Sequence, residues 1–172
     1  MKYKKAHKTL KVLLSFLILA SLWSCERDDI CASTTPTTPH LIIRFYNIDA
    51  RAETKTVRHL TVKAEDDLKN IVFDRTTDSI VLPLRLDALN NNNTTKFLLT
   101  RDSDSIPLAN TDIIEVTYTP ELIYVSRACG YKTIFNDLSA TRETDASNWI
   151  INVEVINTTI NNENAAQINI YH

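Results

Sequence analysis

The sequence predicts an all-β protein: a single antiparallel β-sandwich, Ig-like or similar, built from about eight or nine short strands. From His40 to His172, apolar residues alternate with polar ones at the two-residue period of a strand, and no sustained helical period is present. The strands are short, rich in β-branched residues and closely spaced, which is typical of sandwiches and small barrels rather than of α/β folds.

The strands are predicted in order along residues 40–172, which form the sandwich domain. In the first strand, Leu41, Ile43 and Phe45 point to one face. The cleanest alternation runs from Ile80 to Leu86, and Pro83 confines that strand to an edge or a bulge. The other predicted strands are Val57 to Lys63, Leu68 to Phe73, Lys96 to Thr100, Ile114 to Tyr118, Leu122 to Ala128, Trp149 to Val155, and Ile168 to Ile170.

Three details of this pattern are open to direct test. Pro120 is expected to end the strand that contains Tyr118. Ser139 to Ser147 is the one stretch expected to hold a turn of helix. One face of a late strand is predicted to carry Trp149, Ile151, Val153 and Val155, with Trp149 in the core.

Turns in this chain depend on asparagine, because the 172 residues include one glycine. Glycine usually makes up about 7% of a soluble protein. Phosphate-binding loops, dinucleotide fingerprints and nucleophile elbows each need at least two glycines, so a single glycine excludes all three. Asparagine also adopts left-handed backbone conformations, and clusters lie between predicted strands at Asn90 to Asn93 and Asn161 to Asn164. Gly130 itself is predicted to have a positive φ, in a turn or bulge.

The N-terminus is typical of an export signal. Five lysines precede Val12 to Trp23, an uncharged stretch of twelve residues that is too short to cross a bilayer core. Leu22-Trp23-Ser24-Cys25 resembles a bacterial lipobox, which predicts a signal peptide at 1–24 and lipidation of Cys25. An ordinary signal peptide with an incidental cysteine is the alternative. Residues 25–39, which include a Ser/Thr/Pro-rich run, are predicted to form a lipidated N-terminus and flexible tether.

Charge excludes one class of partner. Loss of residues 1–24 removes five lysines and no acidic residue, so the mature chain has a net charge of −7. Nucleic acid requires basic patches, and we expect no such partner. The cluster Glu26-Arg27-Asp28-Asp29 resembles the surface-export signals of Bacteroidota lipoproteins, although a solvated tether explains it equally well.

Two cysteines remain once Cys25 is acylated. Cys31 and Cys129 then form a pair in an exported protein, where oxidation is permitted, and we expect a disulfide between them. A metal site is the competing interpretation, but His40, His59 and His172 show no ligand spacing relative to them.

Four stretches of the mature chain resemble an uncharacterised lipoprotein family of Bacteroidota. They are C-E-R-D-D-I-C (25–31), T-P-H-L-I-I-R-F-Y (38–46), D-S-I-V-L-P-L (78–84) and Y-V-S-R-A-C-G-Y (124–131). The resemblance implies an outer-membrane envelope location and a β-rich fold, but no activity. The two non-anchor cysteines of that family match Cys31 and Cys129, which is further support for the disulfide.

The sequence contains no motif that identifies catalytic residues. His59 is the best-placed general base and Ser126 a conceivable nucleophile on another strand, but nothing in the sequence brings them together. An exposed strand residue is the simpler interpretation of His59. We therefore predict no enzyme activity, no catalytic residue and no cofactor.

Other polar and aromatic motifs carry alternative interpretations. The oxygen ligands of Asp102 to Ser105 suit a hard cation, but a polar turn explains them as well, and no metal site is predicted. Asp78-Ser79-Ile80 and Asp104-Ser105-Ile106 resemble an O-glycosylation sequon of Bacteroidota, which makes Ser79 and Ser105 candidate modification sites. Aromatic rings stack on sugars, and the candidates for such a platform are Tyr118, Tyr124, Tyr131 and Trp149.

Taken together, the sequence predicts an outer-membrane lipoprotein, on the periplasmic face or the cell surface, with a non-catalytic accessory or binding role. The expected partners are the membrane, through the anchor, and an envelope protein such as an outer-membrane β-barrel. A glycan- or protein-binding surface adhesin and a small envelope hydrolase are the alternatives. An exposed aromatic or apolar patch favours binding, whereas a deep pocket with convergent Ser, His and carboxylate groups favours hydrolysis.

Overall fold

A computed structural model describes residues 30–65 and 67–172. The predicted signal peptide, Cys25 and the acidic cluster at 26–29 lie outside the described residues. The described chain divides into a small compact unit, residues 30–35 with 126–130, and a large one, 36–125 with 131–172. In the part of the chain that the structure covers, no helix has the length and apolarity needed to cross a bilayer.

Nine strands make up the described chain, which confirms the all-β prediction. They form a four-stranded sheet in the order β4-β1-β9-β8 and a five-stranded sheet in the order β3-β2-β5-β6-β7. Their bounds are β1 (Leu41–Tyr46), β2 (Val57–Ala64), β3 (Asp67–Thr77), β4 (Ser79–Leu82), β5 (Asn93–Arg101), β6 (Asn110–Ser126), β7 (Gly130–Arg142), β8 (Asn152–Val155) and β9 (Ile168–Tyr171).

One core lies between the two sheets, as expected for a sandwich. The alternation in β1 buries Leu41, Ile43 and Phe45, and β5 buries Phe97 and Leu99 in the same cluster. Strand pairing is mainly antiparallel, but the first and last strands run parallel, with Ile43 opposite Ile168. The core therefore closes only when the last strand of the chain joins the first.

Trp149 is 4% exposed, which confirms its predicted place in the core. Its indole nitrogen donates to the Leu99 carbonyl at 3.2 Å. The carboxylate of Asp112, which is fully buried, accepts hydrogen bonds from the backbone nitrogens of Trp149 (3.3 Å) and Ile150 (2.7 Å). A buried carboxylate is costly unless it is bonded, and here it satisfies two backbone donors beside the tryptophan.

Pro120 does not end its strand, contrary to the prediction. It lies inside β6, which runs for 17 residues, and its carbonyl accepts a hydrogen bond from the nitrogen of Asn90. In a β-strand, the N–H and the C=O of one residue point toward the same neighbour, so the nitrogen of Pro120 points to the side where β5 pairs with β6. Because the pairing of β5 with β6 stops at Asn93 opposite Tyr118, the missing N–H of Pro120 removes no ladder bond.

Three further expectations are corrected. The strand that begins before Ile80 ends at Leu82, just before Pro83; Leu84 still packs against the core, but Leu86 is 52% exposed. Trp149 and Ile150, just before β8, are both buried, which interrupts the predicted alternation. Ile151 therefore does not share a face with Trp149 and is 56% exposed. The expected helical turn within 139–147 is absent from the structure: β7 extends to Arg142, and side chains of the following turn bond to its own backbone.

Asparagine and glycine make turns as predicted. Asn90 has a φ of 55° and Gly130 a φ of 69°. Asn93 is 4% exposed, and its side-chain oxygen accepts hydrogen bonds from the nitrogens of Asp87 and Ala88. A single buried amide therefore organises the loop that precedes β5.

Candidate functional site

A groove of about 430 Å³ lies on the outer face of the five-stranded sheet. Its floor consists of residues next to core positions: Thr61 and Lys63 alternate with Val62 in β2, and Leu98 and Thr100 with Leu99 in β5. Its walls come from β3 and from the turn after β5. The remaining lining residues are Asn70, Phe73, Asp74, Ser103, Asp104 and Thr111.

His59 is held at this groove between two carboxylates. Its Nδ1 is 2.6 Å from Oδ1 of Asp74, and its Nε2 is 3.6 Å from Oδ2 of Asp104. The hydrogen bond with Asp74 raises the pKa of His59 above its usual value of 6.5, partial desolvation opposes this, and the charge of Asp104 adds to the rise. Both ring nitrogens donate when the imidazole is protonated, which fits two flanking acceptors.

The backbone around His59 is irregular in a way that creates this arrangement. The register between β2 and β3 shifts on both sides of Leu60, and His59 and Asp74 each have a φ of 44°. A bulge turns a strand residue away from its regular direction, and here it affects both partners of the short contact. Left-handed backbone is uncommon for histidine and costs of order 1–3 kcal/mol, so the surrounding structure must stabilise it.

Ser103 provides part of that stabilisation. Its hydroxyl donates to the carbonyl of His59 at 2.6 Å and lies 2.8 Å from Oγ1 of Thr61. The same Thr61 oxygen accepts the backbone N–H of Asp74 at 3.2 Å. A third left-handed residue, Asp102 (φ 50°), accepts a hydrogen bond from Arg58 at 2.8 Å. The turn after β5 is thereby bonded to β2, and Thr61 of β2 in turn bonds to β3.

His59 and Ser126, the two candidate catalytic residues, have separate partners. The hydroxyl of Ser126 accepts the backbone N–H of Cys129 at 3.1 Å, whereas both ring nitrogens of His59 face aspartates. Asp102, Ser103 and Asp104 likewise point to different partners. Among the described residues, no group of three or more His, Cys, Asp or Glu side chains is arranged to hold a metal ion.

Cys31 and Cys129 form a disulfide in the small unit, with their Cα atoms 4.8 Å apart. The bridge links the residues that follow the predicted anchor to the turn between β6 and β7. Of the predicted aromatic platform, Tyr118 and Trp149 lie in the core, whereas Tyr124 and Tyr131 are 56% and 65% exposed.

Residues 59–172 match the model of a family of unknown function, DUF6452. The match covers well over half of the chain. The chain belongs to this family. Comparison with the curated proteins and with the solved structures found no match.

The DUF6452 region begins at His59 and includes every residue that lines the groove, whereas Arg58, which bonds to Asp102, lies one residue before it. His59, Phe73, Asp74 and Asp104 all fall inside it, whereas Cys31 and β1 fall outside. Sequence patterns singled out His59 and Asp104 but missed Asp74 and Phe73. Nothing in the alternation of β3 signals the bulge that brings Asp74 to His59.

The two tripeptides that resemble O-glycosylation sequons, Asp78-Ser79-Ile80 and Asp104-Ser105-Ile106, occupy different surroundings. Ser79 opens the edge strand β4, opposite Arg44, and its neighbour Ile80 is 3% exposed in the core. Ser105 lies in the turn between β5 and β6, and its neighbour Ile106 is 94% exposed. Of the two candidate modification sites, Ser105 therefore lies in the more open surroundings.

Proposed function

We propose that this protein is a lipid-anchored envelope protein with a non-catalytic binding role, and that the groove beside His59 is its binding surface. The lipobox-like Leu22-Trp23-Ser24-Cys25 supports the anchor. The Cys31–Cys129 bridge fits an exported protein, because disulfides persist in oxidising compartments. The resemblance to Bacteroidota lipoproteins supports an outer-membrane location, on the periplasmic face or the cell surface.

Binding fits the groove better than hydrolysis does. A serine hydrolase needs a base nitrogen within hydrogen-bond reach of a nucleophilic hydroxyl. Both nitrogens of His59 face carboxylates, and the nearby hydroxyl of Ser103 is directed at a backbone carbonyl. These groups build a rigid polar wall rather than a nucleophile and base.

The ligand class that we infer for the groove is a saccharide. Phe73 lines the groove and is 72% exposed, so its ring is available for stacking on the apolar face of a sugar. The amide of Asn70, the carboxylates of Asp74 and Asp104, and hydroxyls such as that of Thr100 line the same groove. Amide, carboxylate and hydroxyl groups all bond to sugar hydroxyls. The exposed Phe73 ring beside them is the observation that carries the proposal.

Saturation-transfer NMR on the lipidated protein in detergent, with maltose, cellobiose and chitobiose as probes, tests the proposal. We expect at least one disaccharide to bind and Phe73→Ala to weaken binding about tenfold, or about 1.4 kcal/mol. Ile151→Ala is the matched control, because Ile151 is a 56% exposed apolar residue that does not line the groove. If Phe73→Ala binds the disaccharide as tightly as Ile151→Ala does, the proposal is contradicted. Cleavage of a disaccharide by the unmodified protein would also contradict it.

The anchor and the partner are tested separately. Cys25→Ser is expected to release the protein from membranes, and its continued partitioning with them would rule out the lipid anchor. Cross-linking in native membranes is expected to recover an envelope protein, with an outer-membrane β-barrel as the proposed partner. Recovery of no envelope protein would count against that partner.

A further inference from the structure

We propose that the end of the β6–β7 hairpin rests on the bilayer that holds the Cys25 acyl chains, with Tyr124 and Tyr131 at the membrane interface. The inference depends on the lipid anchor of the proposed function and adds an orientation to it.

The first support is an exposed apolar patch of the right chemistry. Leu122, Tyr124 and Tyr131 are 44%, 56% and 65% exposed, and the two tyrosine rings meet edge to face with centroids 5.4 Å apart. Earlier in the same strand, Tyr118 is fully buried. Tyrosine combines an apolar ring with a polar hydroxyl, and it is enriched where membranes meet water.

The second support is the length of chain between the anchor and the hairpin. Cys25 precedes Cys31 by six residues, which span at most about 22 Å, and the disulfide adds 4.8 Å between Cα atoms. Tyr131 follows Cys129 by two residues. Without the bridge, the first buried residue of the described chain is Pro39, fourteen residues from Cys25 and within about 50 Å of it. The disulfide therefore about halves the reach of the anchor and makes the hairpin its attachment point.

The third support is local charge. Residues 122–132 contain no acidic side chain, in a predicted mature chain with a net charge of −7, and they include Arg127 in the turn between β6 and β7. Lys132 follows Tyr131 and so lies on the opposite face of β7, where its ammonium donates to the carbonyl of Asn161 at 3.3 Å. A basic residue in a stretch without carboxylates favours contact with anionic phospholipid headgroups. Anchor length, ring chemistry and charge thus point to the same occupant, a phospholipid surface.

Depth-dependent quenching of tryptophan fluorescence tests this orientation. The lipidated protein is placed in vesicles of phosphatidylethanolamine and phosphatidylglycerol, with or without brominated phosphatidylcholine. Tyr124→Trp and Tyr131→Trp report on the hairpin, and Phe73→Trp, at a 72% exposed position in the groove, is the matched control. Buried Trp149 provides a shared background and shows that each variant is folded. We expect the hairpin tryptophans to be quenched at least about twofold more than the one at position 73.

Flotation of the same vesicles separates the two hypotheses. If the protein does not float with the lipid, the anchor is wrong and this inference falls with it. If it floats but all three tryptophans are quenched equally, the anchor stands and the hairpin contact is overturned. A Cys31→Ser/Cys129→Ser double variant that still floats is expected to lose the extra quenching at the hairpin, and retention of that quenching would contradict the role given to the disulfide.

Discussion

Two histidines of the large unit, His59 and His172, lie in opposite environments. His59 is on the outer face of the five-stranded sheet between two aspartates, which raise its pKa. His172 packs edge-on against Phe45 and Trp149, at 6.1 and 5.6 Å between ring centroids. Burial lowers the pKa of His172; the hydrogen bond with the Lys55 carbonyl opposes this, and the charges of Lys55 and Arg101 add to the lowering.

The comparison shows that polar groups in the core of this sandwich and polar groups at its candidate binding surface are arranged differently. At the aromatic end around Trp149, the buried carboxylate of Asp112 is bonded to two backbone nitrogens, which is what a core requires of a polar group. The groove is lined by charged groups and hydroxyls, and one left-handed residue, Asp74, lines it, while two others, His59 and Asp102, are bonded to residues that line it or adjoin it. Backbone strain of this kind clusters at functional sites, so the groove is the region where a ligand is expected.

The largest contrast is expected in stability. Trp149→Ala removes a large buried side chain and its hydrogen bond to Leu99, and should lower the free energy of unfolding by about 3–5 kcal/mol. Phe73→Ala removes an exposed ring and should change that free energy by no more than about 0.5 kcal/mol. Urea unfolding followed by circular dichroism measures both. A Phe73→Ala loss as large as that of Trp149→Ala would mean that Phe73 belongs to the core and not to a binding surface.

The next contrast is in titration. The pKa of His59 is raised, so its pairing with aspartate stabilises the fold below pH 6.5 and is lost as the pH rises through the raised value. The pKa of His172 is lowered, so its contribution is present above pH 6.5 and is lost as the pH falls through the lowered value. NMR titration of the ring protons, assigned with His59→Gln and His172→Gln, should show one pKa on each side of 6.5.

Asp74→Asn tests the cause of the raised pKa of His59, because the hydrogen bond with Asp74 is the largest contribution to it. The variant should lower the pKa of His59 and leave that of His172 in place. An unchanged pKa at His59 would show that Asp74 does not control the imidazole in solution.

The sequence predicted the strands well and the groove poorly, for a physical reason. Alternation reports which side chains face a core, so β1, β5 and buried Trp149 were within reach of pattern analysis. Bulges and strand neighbours depend on pairing between distant segments. The 2.6 Å contact of His59 with Asp74 arises only where β2 pairs with β3 out of register, and the continuation of β6 through Pro120 depends on where β5 stops.

The last prediction measures the backbone cost of a left-handed residue at Gly130, which does not line the groove. Gly130 has a φ of 69°, and a Cβ at this position would meet no atom within 4 Å. Gly130→Ala therefore adds only the backbone cost of a left-handed residue, about 1–2 kcal/mol in urea unfolding, and Gly130→Asn should cost less because asparagine tolerates this conformation. His59 and Asp74 have the same left-handed backbone, and their side chains contact each other at 2.6 Å. If Gly130→Ala costs nothing, left-handed backbone is cheap in this chain, and the cluster of such residues at the groove loses its significance as a sign of function.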